Sequence, residues 1–264
     1  MYRTLEDEFG DIVGKARRGQ EIDISKLAAE TGISAEDISR IERYEFTPRA
    51  EVIERLAEVL GLDVHKLCGS AETRFFPRYP EGRDDGKLAV EMMILGASFL
   101  MNGYIAACRE TGKGLCIDPG FDAGTILKAA QRAGVEIERI VLTHGHHDHV
   151  GALGEVVKAT SAPVYINGAD HQLLGDLSRY IEGGLEEGDR ISVGKISFEL
   201  RATPGHTPGG VTLLTDNVAF VGDALFAGSL GGTRSRNQYE LQCNSVREKI
   251  LSLAADTVLY PGHG

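Results

Sequence analysis

The chain has 264 residues, more than one ordinary domain of about 150 residues needs, so two cores are expected. With 42% hydrophobic and 25% charged residues it excludes disordered and fibrous classes, while 33 glycines exceed the usual share of about 7% and imply tight turns and close backbone approaches. A formal net charge of −11 disfavours non-specific attraction to nucleic acid or to an anionic membrane.

The opening residues, MYRTLEDEFG, are acidic and carry neither the basic start nor the apolar run of a signal peptide. No stretch reaches the roughly 18 apolar residues of a membrane helix. Cys68, Cys108, Cys116 and Cys243 form no CxxC pair, which argues against a disulfide scaffold or a zinc knuckle and for small core hydrophobes in a reducing compartment. A cytoplasmic location without a membrane partner is the expectation.

Up to about residue 70 apolar residues recur at helical spacing: Ile24, Leu27 and Ala28, then Ile38 and Ile41, then Val52, Leu56, Val59 and Leu60. Asp23 and Ser34 stand at N-cap positions, Pro48 is expected just inside the next helix, and Gly32 and Gly61 mark helix ends. From Leu27 the chain reads LAAETGISAEDISRIERYEFTPRAEVIERLAEVLGLDVHKL. This resembles the Xre-type helix-turn-helix family in its LAxxxGIS turn, its ISRIER helix and its closing LAEVLGLDVHKL. The resemblance implies a small all-α domain over residues 1–70 with DNA as a partner. Two features weigh against strong DNA binding. Residues 1–75 hold 11 basic and 16 acidic side chains, and the recognition helix opens Ser34, Ala35, Glu36, Asp37, where donors to bases and phosphates are needed. Arg40, Arg43 and Arg49 remain for phosphate. An interaction or dimerisation module is therefore the favoured role, with a homo-oligomer expected.

GSAETRFFPRYPEGRDDGK, ending at Lys87, has four Pro and Gly punctuators from Pro77 to Gly86 and no periodicity, so residues 71–87 are read as a linker. Its composition implies a separable core on each side. Residues 88–264 then alternate short β-rich runs (EMMILG, SFLMNGYIAAC, GLCID, RIVLT, PVYI, ISFELRA, VTLLT, VAFVG, TVLY) with helical stretches near 123–133, 152–159 and 240–253. This texture is that of an α/β sandwich with mixed sheets.

Four of the eight histidines fall in THGHHDHV, residues 143–150, directly after an apolar strand. His144, His146, Asp148 and His149 form HxHxDH, a donor set that suits zinc and also iron or manganese. His206 in ATPGHTPGG, Asp223 in AFVGDALF and His263 in VLYPGHG each follow another predicted strand, so seven metal-type ligands converge on one sheet edge. His147, His65 and His171 are read as non-ligands. Asp118, in LCIDPG, is expected to orient a ligand histidine or brace the loop rather than bind metal.

Together THGHHDH, PGHTPGG, GDALF and PGHG resemble the metallo-β-lactamase-fold hydrolases, in their glyoxalase II-like branch, over roughly residues 88–264. The resemblance implies a four-layer αββα sandwich, with His144, His146 and His206 on a first metal, Asp148, His149 and His263 on a second, and Asp223 bridging. Two zinc ions per chain are expected, with iron or manganese as alternatives. Such a pair, about 3.5–4 Å apart, shares a water of lowered pKa and polarises an acyl oxygen, which makes a metal-bridging hydroxide the nucleophile for a thioester or ester, with Asp148 able to pass a proton to the leaving group. The nearest approach to a serine elbow, AGSLG, lacks the first glycine of GxSxG. After Asp223 the loop offers Arg234, Arg236 and Tyr239 as contacts for an anionic substrate tail. The sequence given stops one residue beyond His263, without the C-terminal helical extension of such enzymes, which weakens the expectation of glutathione specificity. Two alternatives stand beside the hydrolase: an iron-dependent persulfide dioxygenase, and a helix-turn-helix DNA-binding regulator that senses a metabolite through the metallo-hydrolase domain. Since every expected ligand lies after residue 140, removing residues 1–70 is expected to leave most hydrolytic activity and to change the assembly state.

Overall fold

The computed structural model describes residues 7–73, 81–97 and 99–264. Five helices come first: α1 (Phe9–Gly19), α2 (Ile24–Thr31), α3 (Ala35–Glu42), α4 (Ala50–Leu60) and α5 (Val64–Ala71). Their apolar stripes meet in one core in which Val13, Leu27, Ile38, Ile41, Leu56 and Leu60 are buried. Each such side chain contributes about 1.5–3 kcal/mol on leaving water. The Ser34 hydroxyl caps α3 by accepting from the Asp37 amide at 3.0 Å, and Gly32 and Gly61 end α2 and α4 in the left-handed conformation. Pro48 is not inside a helix: Arg49 is the N-cap of α4, so the proline fixes the extended approach to it instead. The three arginines expected to reach phosphate are engaged with carboxylates, Arg40 with Asp37, Arg43 with Glu36 and Glu45, and Arg49 with Glu51.

The stretch read as a linker is shorter than its composition suggested. α5 runs to Ala71, and β1 (Arg83–Asp84) already pairs antiparallel with β2 (Leu88–Leu95); residues 74–80 of the expected linker lie outside the described residues. The first sheet continues through β3 (Met101–Cys108), β4 (Lys113–Ile117), β5 (Glu136–Val141), β6 (Val164–Ile166) and β7 (Ile181–Gly184), in sequential order. β4 to β7 are parallel, joined by α6 (Ala123–Ala133), by α7 (His147–Val150) with α8 (Leu153–Thr160), and by a 3₁₀ segment over Gly168–Tyr180. The second sheet holds β8 (Arg190–Val193), β9 (Ile196–Ala202), β10 (Val211–Thr215), β11 (Val218–Gly222) and β12 (Val258–Pro261), with α9 (Arg236–Lys249) between the last two.

Three apolar clusters define four layers. Ile126, Ala129, Leu153 and Val156 join α6 and α8 to one face of the first sheet. Tyr104, Leu115, Phe198, Leu213 and Phe220 fill the space between the sheets, and Val246 and Ile250 close the outer face of the second sheet against Val221. Both faces of β3 are covered, which is why all eight of its residues are buried. The fold is thus the expected α/β sandwich behind a helical domain. Cys108 and Cys116 lie in the core, but Cys68 and Cys243 are only half-buried. His65 and His171 are exposed. Among the described residues no helix is long and apolar enough to cross a membrane.

Candidate metal centre

Five strands deliver the site from their C-terminal ends. Asp118 follows β4, the THGHHDH loop follows β5, the His206 loop follows β9, Asp223 follows β11 and His263 follows β12. β11 and β12 are parallel, with Gly222 opposite Pro261, so their following residues arrive side by side. Two hydrogen bonds tie the sheets together here, from the Val211 amide to the Thr143 carbonyl at 2.9 Å and from the Asn102 amide to the Gly262 carbonyl at 2.7 Å. Gly262 is required: a Cβ would collide with the Asp223 carboxylate and the His149 ring.

The seven sequence-derived ligand candidates converge. His144, His146 and His206 form one group that could hold a metal ion and Asp148, His149 and His263 another, the donor atoms within each lying within 4.8 Å of one another. Asp223 sits between the groups, with Oδ1 3.3 Å from His149 Nε2 and Oδ2 3.3 Å from His206 Nε2 and 3.6 Å from His263 Nε2.

Hydrogen bonds at the outer ring nitrogens decide which way the lone pairs face. His206 Nδ1 donates to the Gly232 carbonyl at 2.7 Å, His263 Nδ1 to the Leu100 carbonyl at 2.7 Å, and His149 Nδ1 to Asp118 at 2.9 Å. Thr143 Oγ1 donates to Asp118 at 2.7 Å, so its lone pair accepts from His144 Nδ1 at 3.1 Å. Each of these four rings therefore turns Nε2 inward, while His146 presents Nδ1 to His206 Nε2 at 2.8 Å. Ring nitrogens crowded in this way around carboxylates are suited to a cation. The buried His144 Nε2 and Asp223 Oδ1 make no hydrogen bond, a costly state for polar atoms that a bound ion relieves.

Asp118 does both things expected of it, orienting His149 and bracing Thr143 through the amide at 2.7 Å as well as the hydroxyl. Its grouping with His144 and His149 is not an independent metal site, because both of its oxygens are committed to these donors. His147 is exposed beside Phe121 and lies outside both ligand groups.

The charges are tightly coupled. Burial, reinforced by His149, holds His144 well below the usual imidazole range, and burial also lowers His146. Burial works against a charged His149, but Asp223 and Asp118 outweigh it and raise this ring well above its ordinary value. Asp223 is likewise penalised by burial, yet His263, His149 and His144 hold it well below the carboxylate range. Asp148 is lowered too, its burial outweighed by the hydrogen bond with His263 and the charge of His149.

A cavity of about 210 Å³ opens onto His146, Asp148, His206, Asp223 and His263, with Phe99 and Phe226 edge-on to the His263 ring. Arg234, Arg236 and Tyr239 are not in its wall. The turn into α9 carries Arg234 and Arg236 to the exposed surface, where Arg236 pairs with Glu240 at 2.9 Å, and Tyr239 packs against Gly19 of α1. In their place α1 reaches in, and Asp7 and Lys15 line the cavity. Residues 1–70, whose removal is expected to leave most hydrolytic activity, thus contribute Asp7 and Lys15 to one wall of the cavity. A larger cavity of about 300 Å³ between the helical domain and Ala227–Gly228 is mostly apolar and has no histidine in its wall.

Sequence reasoning also missed Asp170. Fully buried in the 3₁₀ segment, it accepts from the Gly145 amide at 3.0 Å and from the Gly209 amide at 2.7 Å, clamping the His144–His146 turn to the His206 loop. Gly209 must be glycine, since a Cβ would meet Asp170 at 2.8 Å. No local pattern around Asp170 signals this role.

This fold and donor set identify the class, and the chain belongs to the metallo-beta-lactamase superfamily, whose profile matches residues 102–263. Residues 13–67 match a helix-turn-helix profile. The chain is 33% identical over 180 residues to a hydroxyacylglutathione hydrolase of Polaromonas sp. (strain JS666), covering 67% of this chain and 66% of that relative. Among solved structures it resembles TTHA1623 in a di-iron-bound form (TM-score 0.55, 31% identity, 66% of this chain and 92% of that one). It also resembles ETHE1 from Myxococcus xanthus (TM-score 0.57, 25% identity, 66% and 75%).

Proposed function

We propose that the chain is a dinuclear metal-dependent hydrolase of thioesters or esters, of the hydroxyacyl-thioester type. The observation that carries this reading is the paired arrangement of two three-residue donor groups around one carboxylate, with the ring tautomers fixed from outside. His144, His146 and His206 would hold one ion, Asp148, His149 and His263 the other, and Asp223 would contact both. When bound, two divalent ions, in our reading zinc, lower the pKa of a shared water and polarise an acyl oxygen. The chain's own residues do the rest. Asp118, Thr143 and the Gly232 and Leu100 carbonyls each engage Nδ1 of a histidine, so that Nε2 is turned toward the centre. Asp148, ionised and facing the cavity, is placed to take a proton from the attacking water and return it to a leaving thiolate or alkoxide. Phe99 and Phe226 give the cavity an apolar wall beside the His263 ring.

The name of the Polaromonas relative supports a hydroxyacyl thioester as the substrate class. The single-iron dioxygenase alternative needs one metal on two histidines and an aspartate, and a complete second donor group favours two metals over one. A panel of hydroxyacyl thioesters and lactones tests the reading: thiol release that a chelator abolishes and added zinc restores is expected. One iron per chain with oxygen consumption on glutathione persulfide and no thiol release would overturn it.

A further inference from the structure

We propose that Lys15, on the first helix of the helix-turn-helix domain, determines substrate specificity at the metal-centre cavity by binding an anionic group, a carboxylate a few bonds from the scissile carbonyl on the leaving-group side. The inference rests on the hydrolase reading above and extends it to the substrate's charge. Its first support is position. The Lys15 ammonium lies 4.5 Å from the centroid of the Phe226 ring, and Phe226 stands edge-on to His263 at 5.3 Å, so one aromatic ring separates the cation from the imidazole cluster.

The second support is that this ammonium is held in place. Lys15 pairs with Asp7 at 2.6 Å, and the same Asp7 oxygen accepts from the hydroxyl of Ser229, on the loop that follows Asp223. Helix α1 is thereby fastened to the hydrolase domain beside the cavity mouth. Packing of Gly19 against Tyr239 and Thr233 fixes its other end. A lysine tied to one carboxylate still has two more N–H donors to offer, and the cavity wall is where they can be used.

The third support is the company it keeps. Among the described residues lining the cavity, Lys15 supplies the one ammonium or guanidinium; the others contribute imidazoles, carboxylates, phenyl rings and backbone. The arginines that the sequence offered for an anionic tail, Arg234 and Arg236, are exposed elsewhere. An anionic leaving group therefore finds its ammonium donors on the N-terminal domain, where it shares Lys15 with Asp7, and the two domains share one active site.

The test compares glycolyl thioesters of mercaptopropanoate and of its uncharged isostere, mercaptopropanamide, on the full-length chain with metal content measured for every variant. Lys15→Met is expected to reduce the ratio of kcat/KM for the anionic over the neutral thioester about tenfold or more, with the change in KM, while Lys15→Arg keeps the ratio. A purely structural role would lower both substrates together. An unchanged ratio in metal-loaded Lys15→Met overturns the proposal. If the wild-type chain cleaves neither thioester, the hydrolase reading fails, and calorimetry with the matching hydroxyethyl thioethers decides the lysine separately. A carboxylate preference that Lys15→Met loses supports the site, and equal binding of acid and amide by the wild type refutes it.

Discussion

Replacing Asp170 probes whether the metal loops are built from within. This side chain is completely buried and gives one oxygen to the Gly145 amide and the other to the Gly209 amide. Asp170→Ala leaves two buried N–H groups without acceptors, each costing about 1–3 kcal/mol, so a loss of about 2–6 kcal/mol in folding stability is expected. Asp170→Asn keeps one oxygen and turns an NH₂ toward the other donor, for roughly half that loss. The two amides flank His144, His146 and His206, so the asparagine variant, even where it folds, should bind metal about 10–100-fold more weakly. Urea unfolding of the chelator-treated chain measures the first effect and competition with a chromophoric chelator the second. If Asp170→Ala unfolds within about 0.5 kcal/mol of wild type and binds metal equally well, the clamp is not what holds the loops.

Asp223→Ala should lower turnover by at least about a hundredfold and release one ion while leaving a folded chain, as elemental analysis and circular dichroism will report; near wild-type turnover with both ions present would refute the shared position of Asp223. The metal-free chain should be most stable near neutral pH. His149, raised in the folded state, contributes stability that is complete below about 6.5 and lost as pH rises through its folded pKa. His144 and His146, lowered, contribute stability present above about 6.5 and lost as pH falls below it, and the lowered Asp148 and Asp223 add a further loss in strong acid. Melting temperatures should thus decline on both sides, and His149→Gln should remove the alkaline decline. A promoter-fragment titration by fluorescence anisotropy at about 0.15 M salt should give no saturable binding, because the arginines on and after α3 already face carboxylates.

The metal-ligand candidates were legible because each lies within a few residues of a strand end, and strand ends and HxHxDH spacing are local features. The layers followed from the same local signals. What escaped acts across the chain. Asp7 meets Ser229 over a separation of 222 residues, and Asp170 reaches loops 25 and 39 residues away. Helix α1 itself was not singled out, since its sequence FGDIVGKARRG places glycines at Gly10 and Gly14 where an apolar stripe is sought. Arg234 and Arg236 looked suited to a substrate tail by position in the sequence, but α9 begins at the Ser235 cap, which accepts from the Gln238 amide, and both arginines lie exposed on either side of it.

Titration of the metal-free chain with zinc, read by turnover of a hydroxyacyl thioester, tests the dinuclear claim most directly. Activity should rise to its maximum at close to two equivalents per chain, the number for which the two donor groups and Asp223 provide. A maximum at one equivalent, or activity that appears with iron alone and consumes oxygen, would contradict it.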